Sequence, residues 1–225
     1  FEIASDMTPA EDEIAWMRDL SMATGLPVGV ALVQMDHQPD GWREILGAME
    51  RHNADGANIV AFVSARPTSQ LLGLEGRFHP FSHHPTYLKI ADLPLAERVA
   101  AMRQPEIRAS IMAEETTMKS RFRRRMMLEF AKMFPINNPP DYEPGPEQSV
   151  ASRAAADGLS PEDFAYDWLL REGGSGLLYF PILNYSHGDF GVIEEMIQAP
   201  NAVLSLSDGG AHCSYICDAG TPSYL

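Results

Sequence analysis

The sequence predicts an α/β protein whose parallel sheet is interrupted by a long, mainly helical insertion. Short apolar runs alternate with amphipathic stretches from Phe1 to Val63, and the alternation returns after Gly173-Gly174-Ser175-Gly176. Between about Arg66 and Gly174 no strand is expected and the composition shifts to helical and proline-rich segments. Strands joined by helices imply right-handed crossovers and a parallel sheet, which fits part of a β/α barrel or a doubly wound sheet.

Phe1 to Ser5 is the first expected strand. Thr8-Pro9-Ala10-Glu11 then opens a helix with a capping threonine, proline at the first helical position and early acids. Ile14, Met17 and Leu20, with Trp16 nearby, give it an apolar face, and Gly25 stops it. Val28 to Gln34 is nearly all apolar, as in a parallel strand covered on both faces. Asp36 to Gly41 forms the loop at its carboxyl end. Trp42 to His52 is the second helix, with Trp42, Ile45, Leu46 and Met49 on one side, and Ile59 to Val63 is a third buried strand. In the insertion, Leu93–Arg103, Glu106–Met118 and the Met- and Arg-rich run Lys119–Phe134 are helical, and Pro135 to Pro146 is a proline-dense loop. Ser160-Pro161-Glu162-Asp163 starts a further helix to about Arg171. Leu177–Leu183 and Val203–Leu206 are the returning strands, with a helix over Asp189–Gln198 between them. The expected organisation is therefore barrel elements over 1–66, a helical insertion or extended crossover over 67–175, and the last barrel strands over 176–225.

Composition narrows the function classes. The 225 residues carry a net charge of −14 and are 45% hydrophobic, which fits a globular core and argues against nucleic acid or anionic membranes as general partners. Two cysteines, Cys213 and Cys217, cannot supply a disulfide framework. With neither a spanning apolar run nor a signal pattern, a soluble, cytoplasmic protein is expected. The chain starts at Phe1 inside an apparent strand, and Thr221-Pro222 opens a helix just before Leu225. The expectation is a piece of a larger enzyme, poorly soluble alone because an incomplete barrel exposes sheet edges.

Several residues could carry chemistry. In Ser205-Leu206-Ser207-Asp208-Gly209-Gly210-Ala211-His212 an acid appears at the end of a strand-forming run, followed by two glycines and a histidine. An acid at a strand tip is costly without chemistry or a partner, and in β/α barrels that side holds catalytic residues. Its structural alternative is a turn or a helix cap. His79-Pro80-Phe81-Ser82-His83-His84-Pro85 gathers three of the seven histidines on a proline-bounded loop, either lining a site or bonded locally. Arg66, at the end of the third strand, suits a bidentate contact with a substrate carboxylate or an ion pair with a local acid. Gln34, at the end of the second, offers an amide to a ligand or to the backbone. The CxxxC pair after His212 lacks the further ligands of a structural zinc site. The basic run Lys119–Lys132 fits a solvated helix face or a surface docked on an acidic partner.

The ordered set of segments around these residues resembles the N-acyl-D-amino-acid deacylase (D-aminoacylase-like) group of the amidohydrolase superfamily. The resemblance is carried by Ser207-Asp208-Gly209-Gly210-Ala211-His212 with Ile216-Cys217-Asp218-Ala219, by Gly25-Leu26-Pro27-Val28 to Leu32-Val33-Gln34, and by Ser64-Ala65-Arg66-Pro67. Leu72-Gly73-Leu74, His79-Pro80-Phe81 and Leu95-Ala96-Glu97-Arg98-Val99 extend it over nearly the whole chain. It implies a partial (β/α)8 TIM-type barrel that hydrolyses the amide bond of N-acyl amino acids with a divalent metal, usually zinc. Asp208 would be the catalytic proton carrier and a metal ligand. The resemblance carries over no further residue; His212, Arg66, His79 and Gln34 are the candidate substrate contacts by residue type and position. The family's His-x-His metal motif occurs nowhere in the chain, and the ends at Gln34 and Ser64–Arg66 lack histidines. The remaining metal ligands are therefore expected upstream of Phe1, unless a loop histidine such as His79 substitutes. The expected partner is a small N-acyl amino acid, with homo-oligomerisation open. The competing reading is a non-catalytic, barrel-derived interaction or scaffold protein. A phosphate-binding barrel cradling an anion on Gly209-Gly210 is disfavoured by the adjacent Asp208.

Overall fold

A computed structural model describes residues 1–3, 5, 9–205 and 220–224 of the chain. They fall into two compact units, one comprising the described residues up to Thr68, from Ile182 to Ser205 and from Gly220 to Tyr224, the other Ser69–Pro181.

The first unit holds β1 (Glu2–Ile3), α1 (Ala10–Thr24), β2 (Val28–Ala31), α2 (Gly41–Ala54) and β3 (Ile59–Val63), and later α9 (Gly191–Ile197) and β7 (Ala202–Leu204). Its sheet is all parallel in the order β1-β2-β3-β7. Val28 pairs with Ile59 and Ala61 with Ala202. Side chains alternate across a strand, so Ile59, Ala61 and Val63 all enter one core with Val28, Val30 and Leu32. Ile14 and Met17 of α1, and Trp42, Ile45 and Met49 of α2, meet them at three- and four-residue spacing. Each large side chain buried this way contributes about 1.5–3 kcal/mol.

Polar side chains set where these elements start. Asn53 grips the first residue of β3 from both sides: its Nδ2 donates to the Ile59 carbonyl and its Oδ1 accepts from Ile59 N–H, both at 2.8 Å. The buried Ser21 hydroxyl donates to the Leu26 carbonyl and accepts from Asn58 N–H, each at 3.0 Å. Gly25 ends α1 at φ 68°, a left-handed conformation that glycine adopts without steric cost, and its N–H returns to the Ser21 carbonyl. The expected cap Thr8 lies outside the described residues, and Pro9 stands at the N-cap position without a side-chain bond. Across the helices, Arg51 and His52 of α2 hydrogen-bond the two carboxylate oxygens of Glu11 on α1, and the Arg51 bond holds that carboxyl below its usual range.

The second unit contains β4 (Thr68–Gly73, counted from Ser69), α3 (Pro85–Leu88), α4 (Leu95–Met102), α5 (Pro105–Ala113), α6 (Arg121–Leu128), β5 (Phe134–Pro135), α7 (Val150–Asp157), α8 (Pro161–Leu169) and most of β6 (Leu177–Leu183). Ser149 and Ser160 cap α7 and α8 by accepting from Ser152 N–H and Asp163 N–H. Met102, Met126, Met127 and Met133 are all buried, filling the core as flexible thioethers do. Buried polar tips find partners: Tyr166 Oη donates to the Met102 carbonyl and Trp168 Nε1 to the Leu177 carbonyl, both at 2.8 Å. Arg108 joins α5 to α8 through Asp167 and Asp163, and the Asp167 bond pushes its pKa above the ordinary arginine value.

The fold class holds at the level of a mixed α/β protein with a parallel sheet. Three expectations are corrected. Leu177–Leu183 is a strand but not a member of the parallel sheet: in a three-stranded sheet ordered β4-β6-β5, Tyr179 pairs antiparallel with Phe134 and Leu178 with Pro135. The insertion, expected to be free of strands, contains β4 and β5, whose short segments acquire partners only from distant sequence. Thr221-Pro222 opens a single 3₁₀ turn over Thr221–Ser223. Among the described residues the strands form these two sheets and no closed cylinder, and no helix is long and apolar enough to cross a membrane.

Gly176 gives a direct test of packing in the second unit, because a Cβ there would run into the Trp168 carbonyl. Gly176→Ala is expected to destabilise the protein by about 1–3 kcal/mol, the usual cost of overpacking. Chemical denaturation checks this, and an unchanged midpoint would refute it.

Candidate functional site

Open parallel sheets and β/α barrels present ligand-binding groups beyond the carboxyl ends of their strands. In the first unit the residues after β2 and after β3 lie at that edge, and Asn184, which follows β6 of the other sheet, is hydrogen-bonded to the segment after β2. The chain leaves β2 as Leu32-Val33-Gln34, and Gln34 is 1% exposed. Gln34 N–H donates to Asn184 Oδ1 at 2.7 Å, while Asn184 N–H donates to the Gln34 carbonyl at 3.1 Å. The Gln34 side chain is engaged at both ends, its Nε2 donating to the Pro39 carbonyl and its Oε1 accepting from Ser186 N–H. Ser186 also donates its hydroxyl to Asp36 Oδ1 at 2.9 Å. Gln34 thus fastens two loops, and its amide is spent on the protein's own backbone.

Asn184 was not signalled by sequence. It directly follows β6, is fully buried, and sits at φ 63°, a left-handed conformation that asparagine tolerates better than most residues. Its Oδ1 is used by Gln34 N–H, but its Nδ2 has no hydrogen-bond partner among the described residues. An amide donor buried in that state costs about 1–3 kcal/mol and is suited to a ligand oxygen. Only its position at a strand end could have marked it.

Arg66, after β3, is 3% exposed. Its Nη2 donates to Thr221 Oγ1 at 3.3 Å, and its guanidinium lies 5.2 Å from the centre of the Tyr224 ring. A hydroxyl and an aromatic face thus help to hold this buried guanidinium in place.

His79 belongs to the second unit and is fully buried. Its Nδ1 accepts from Phe81 N–H, its ring meets the Tyr87 ring edge-on at 4.5 Å, and its Nε2 has no partner among the described residues. Burial, reinforced by the Arg98 charge, pushes its pKa down to about 3, so the imidazole is neutral at neutral pH. The neighbouring His83 stacks on Phe78 at 6.0 Å, and His84 is nearly buried with its pKa also lowered, chiefly by burial.

Asp208 and His212 lie outside the described residues, as do Gly209, Gly210, Cys213 and Cys217. Among the described residues no group of three or more His, Cys, Asp or Glu side chains could hold a metal ion. Those side chains do not by themselves fit a metal centre. No family model matches the chain, and neither does any curated protein or solved structure.

Two measurements test this geometry. Gln34→Leu would strand Ser186 N–H and the Pro39 carbonyl, and a loss of about 1–3 kcal/mol per stranded buried group is expected in urea denaturation. His79 binds a proton in the unfolded chain below about pH 6.5, the ordinary histidine value, but in the folded chain only near pH 3. Its contribution to stability is complete above pH 6.5 and falls as the pH drops toward 3, by up to ~1.4 kcal/mol per pH unit. His79→Phe should therefore flatten the stability profile across that window, and an unaltered slope would exclude the buried neutral imidazole.

Proposed function

We propose that this chain is part of a metal-dependent amidohydrolase of (β/α)8 type, cleaving the amide bond of N-acyl amino acids, with N-acyl-D-amino acids as the preferred class. One structural observation carries the reading: Asn184 Nδ2, buried and without a partner among the described residues, stands beyond a strand end of the unit in which the buried Arg66 follows another. The segments that resemble the D-aminoacylase group, above all Ser207-Asp208-Gly209-Gly210-Ala211-His212, supply the reaction class.

In this proposal the Arg66 guanidinium binds the substrate carboxylate, and Asn184 Nδ2 donates to the acyl oxygen. Asp208 takes a proton from the attacking water as its oxygen bonds to the acyl carbon. The C–N bond then breaks, and Asp208 returns the proton to the departing nitrogen, giving a carboxylic acid and a free amino acid. His212 is a neighbouring site residue. A divalent metal, zinc by resemblance, would polarise the carbonyl and acidify the water when bound. Its ligands are not found among the described residues, and no step above is routed through it.

Hydrolysis of N-acetyl-D- and N-acetyl-L-amino acids, followed by release of free amine in the presence of added zinc, tests the proposal. Asp208→Asn is expected to lower kcat by about 10²–10⁴-fold, the range of a lost proton-transfer group, with KM little changed. Full turnover in that variant would remove Asp208 from the chemistry. Arg66→Ala should raise KM at least ~10-fold for N-acyl amino acids and leave the corresponding methyl esters unaffected, since these have no carboxylate to bind.

A further inference from the structure

The segment from Lys119 to Lys132 holds six of the chain's 17 basic residues and a single acid, Glu129. The rest of the chain therefore carries 11 basic side chains against 30 acidic ones, so a cationic patch sits on a strongly acidic protein. Helix α6, at the centre of the patch, breaks two local rules. Arg121, Arg123 and Arg124 fill its first turn with no acid among them, at the end where the helix dipole disfavours cations. Arg121 also stands three and four residues from Arg124 and Arg125, spacings at which like charges repel. The helix is started by the Ser120 hydroxyl, which accepts from Arg123 N–H, and held by Met126 and Met127, its only buried residues. A charge pattern that weakens the isolated helix is accounted for by an acidic surface that covers it.

The cations differ in what they meet within the chain. Arg125 pairs with Glu129, and Arg123 lies 5.4 Å from the centre of the Phe78 ring. Lys119, Arg121 and Arg124 are exposed and make no ion pair among the described residues. Phe122, next to Arg121, is 62% exposed. Opposite charge lies on the same surface. Arg124 and Leu128 border a cleft of about 260 Å³ whose lining also includes Met112, Glu115 and Glu162. Both glutamates are exposed, and among the described residues neither is paired with a cation. A surface that sets unpaired cations, unpaired anions and exposed apolar side chains side by side is complementary to a second copy of itself related by a two-fold axis.

We propose that this face is the interface of a two-fold symmetric dimer of the chain. Arg121 and Arg124 of each copy pair with Glu115 and Glu162 of the other, and Phe122 packs on Met112 and Leu128 across the interface. The Debye length is about 8 Å at physiological salt, so the net repulsion between two acidic copies is largely screened while the contacting pairs are not. The inference is independent of the proposed hydrolysis.

Sedimentation equilibrium of the whole chain from about 1 to 100 μM tests it. A monomer–dimer equilibrium is expected, weakened at least ~5-fold between about 0.15 and 1 M NaCl. The double variants Arg121→Glu, Arg124→Glu and Glu115→Lys, Glu162→Lys should each dimerise at least ~10-fold more weakly, and mixing the two should restore association at least ~10-fold, because each reversed patch then faces a reversed rim. Acids in the first turn suit the helix dipole, so α6 is expected to survive, with circular dichroism as the check. If either double variant misfolds, Phe122→Ser carries the test, with the same weakening of at least ~10-fold expected. A monomer throughout the range, association that survives these substitutions, or no recovery on mixing folded variants would each overturn the proposal. So would association indifferent to salt, which marks pairing of exposed sheet edges instead. Vesicles of phosphatidylcholine with about one-third phosphatidylserine are the remaining arm: their binding by a monomer, lost in Arg121→Glu, Arg124→Glu, would overturn the dimer and assign α6 to a membrane surface.

Discussion

Gln34 and Asn184 are separated by 150 residues and bonded to each other through two main-chain N–H groups. The first unit depends on this junction, because its sheet takes β1 to β3 from before the insertion and β7 from after it. Closing a loop that long costs several kcal/mol of chain entropy, though the cost grows only logarithmically with length. The two N–H bonds, the clasp of Gln34 on Ser186 and the hydroxyl of Ser186 on Asp36 all act where the chain returns. Each is buried or partly buried, so removing one partner leaves another group unsatisfied. A large insertion is tolerable here because its return point is specified by several directional bonds.

The same junction explains how the strand-end region is held rigid. Gln34 has both amide ends occupied, so the loops it ties are held in place by the protein alone. Asn184 has one end occupied and, among the described residues, one end without a partner, which fixes its orientation while leaving a donor available. A donor held this way pays little ordering entropy when a ligand oxygen arrives. Arg66 is likewise restrained, with a hydroxyl and an aromatic ring restricting a side chain that is otherwise highly mobile.

Much of the first unit was legible in the sequence because its signals are local. Ile59–Val63 is a run of β-branched and apolar residues bounded by turns, and it forms a strand over those same residues. The 3.6-residue period of Ile14, Met17, Trp42, Ile45 and Met49 predicts the buried faces of α1 and α2, and Gly25 and Pro161 mark helix ends through their backbone geometry. What escaped depends on pairing across long separations. Nothing in Phe134-Pro135 announces a strand; it becomes one by meeting Leu178 and Tyr179. Leu177–Leu183 carries the apolar pattern of a parallel strand, and pattern alone cannot say which sheet it joins. In the site, Gln34 and Arg66 were marked by type and by position at strand ends. Asn184 escaped because its importance lies in a missing partner, and a sequence does not state which hydrogen bonds go unmade.

The parallel sheet also has a temporal consequence. Strand β7 completes the sheet on the free side of β3. During synthesis, roughly 140 residues emerge between the two strands, which at about 5–20 residues per second takes on the order of 7–30 s. Throughout that interval the nascent chain presents Ile59–Val63 with one row of main-chain N–H and C=O groups unclaimed, a template for any passing extended segment. The insertion therefore lengthens the time in which this protein is vulnerable to mispairing, and a chaperone that shields the β3 edge would act on the ribosome before the second unit is complete.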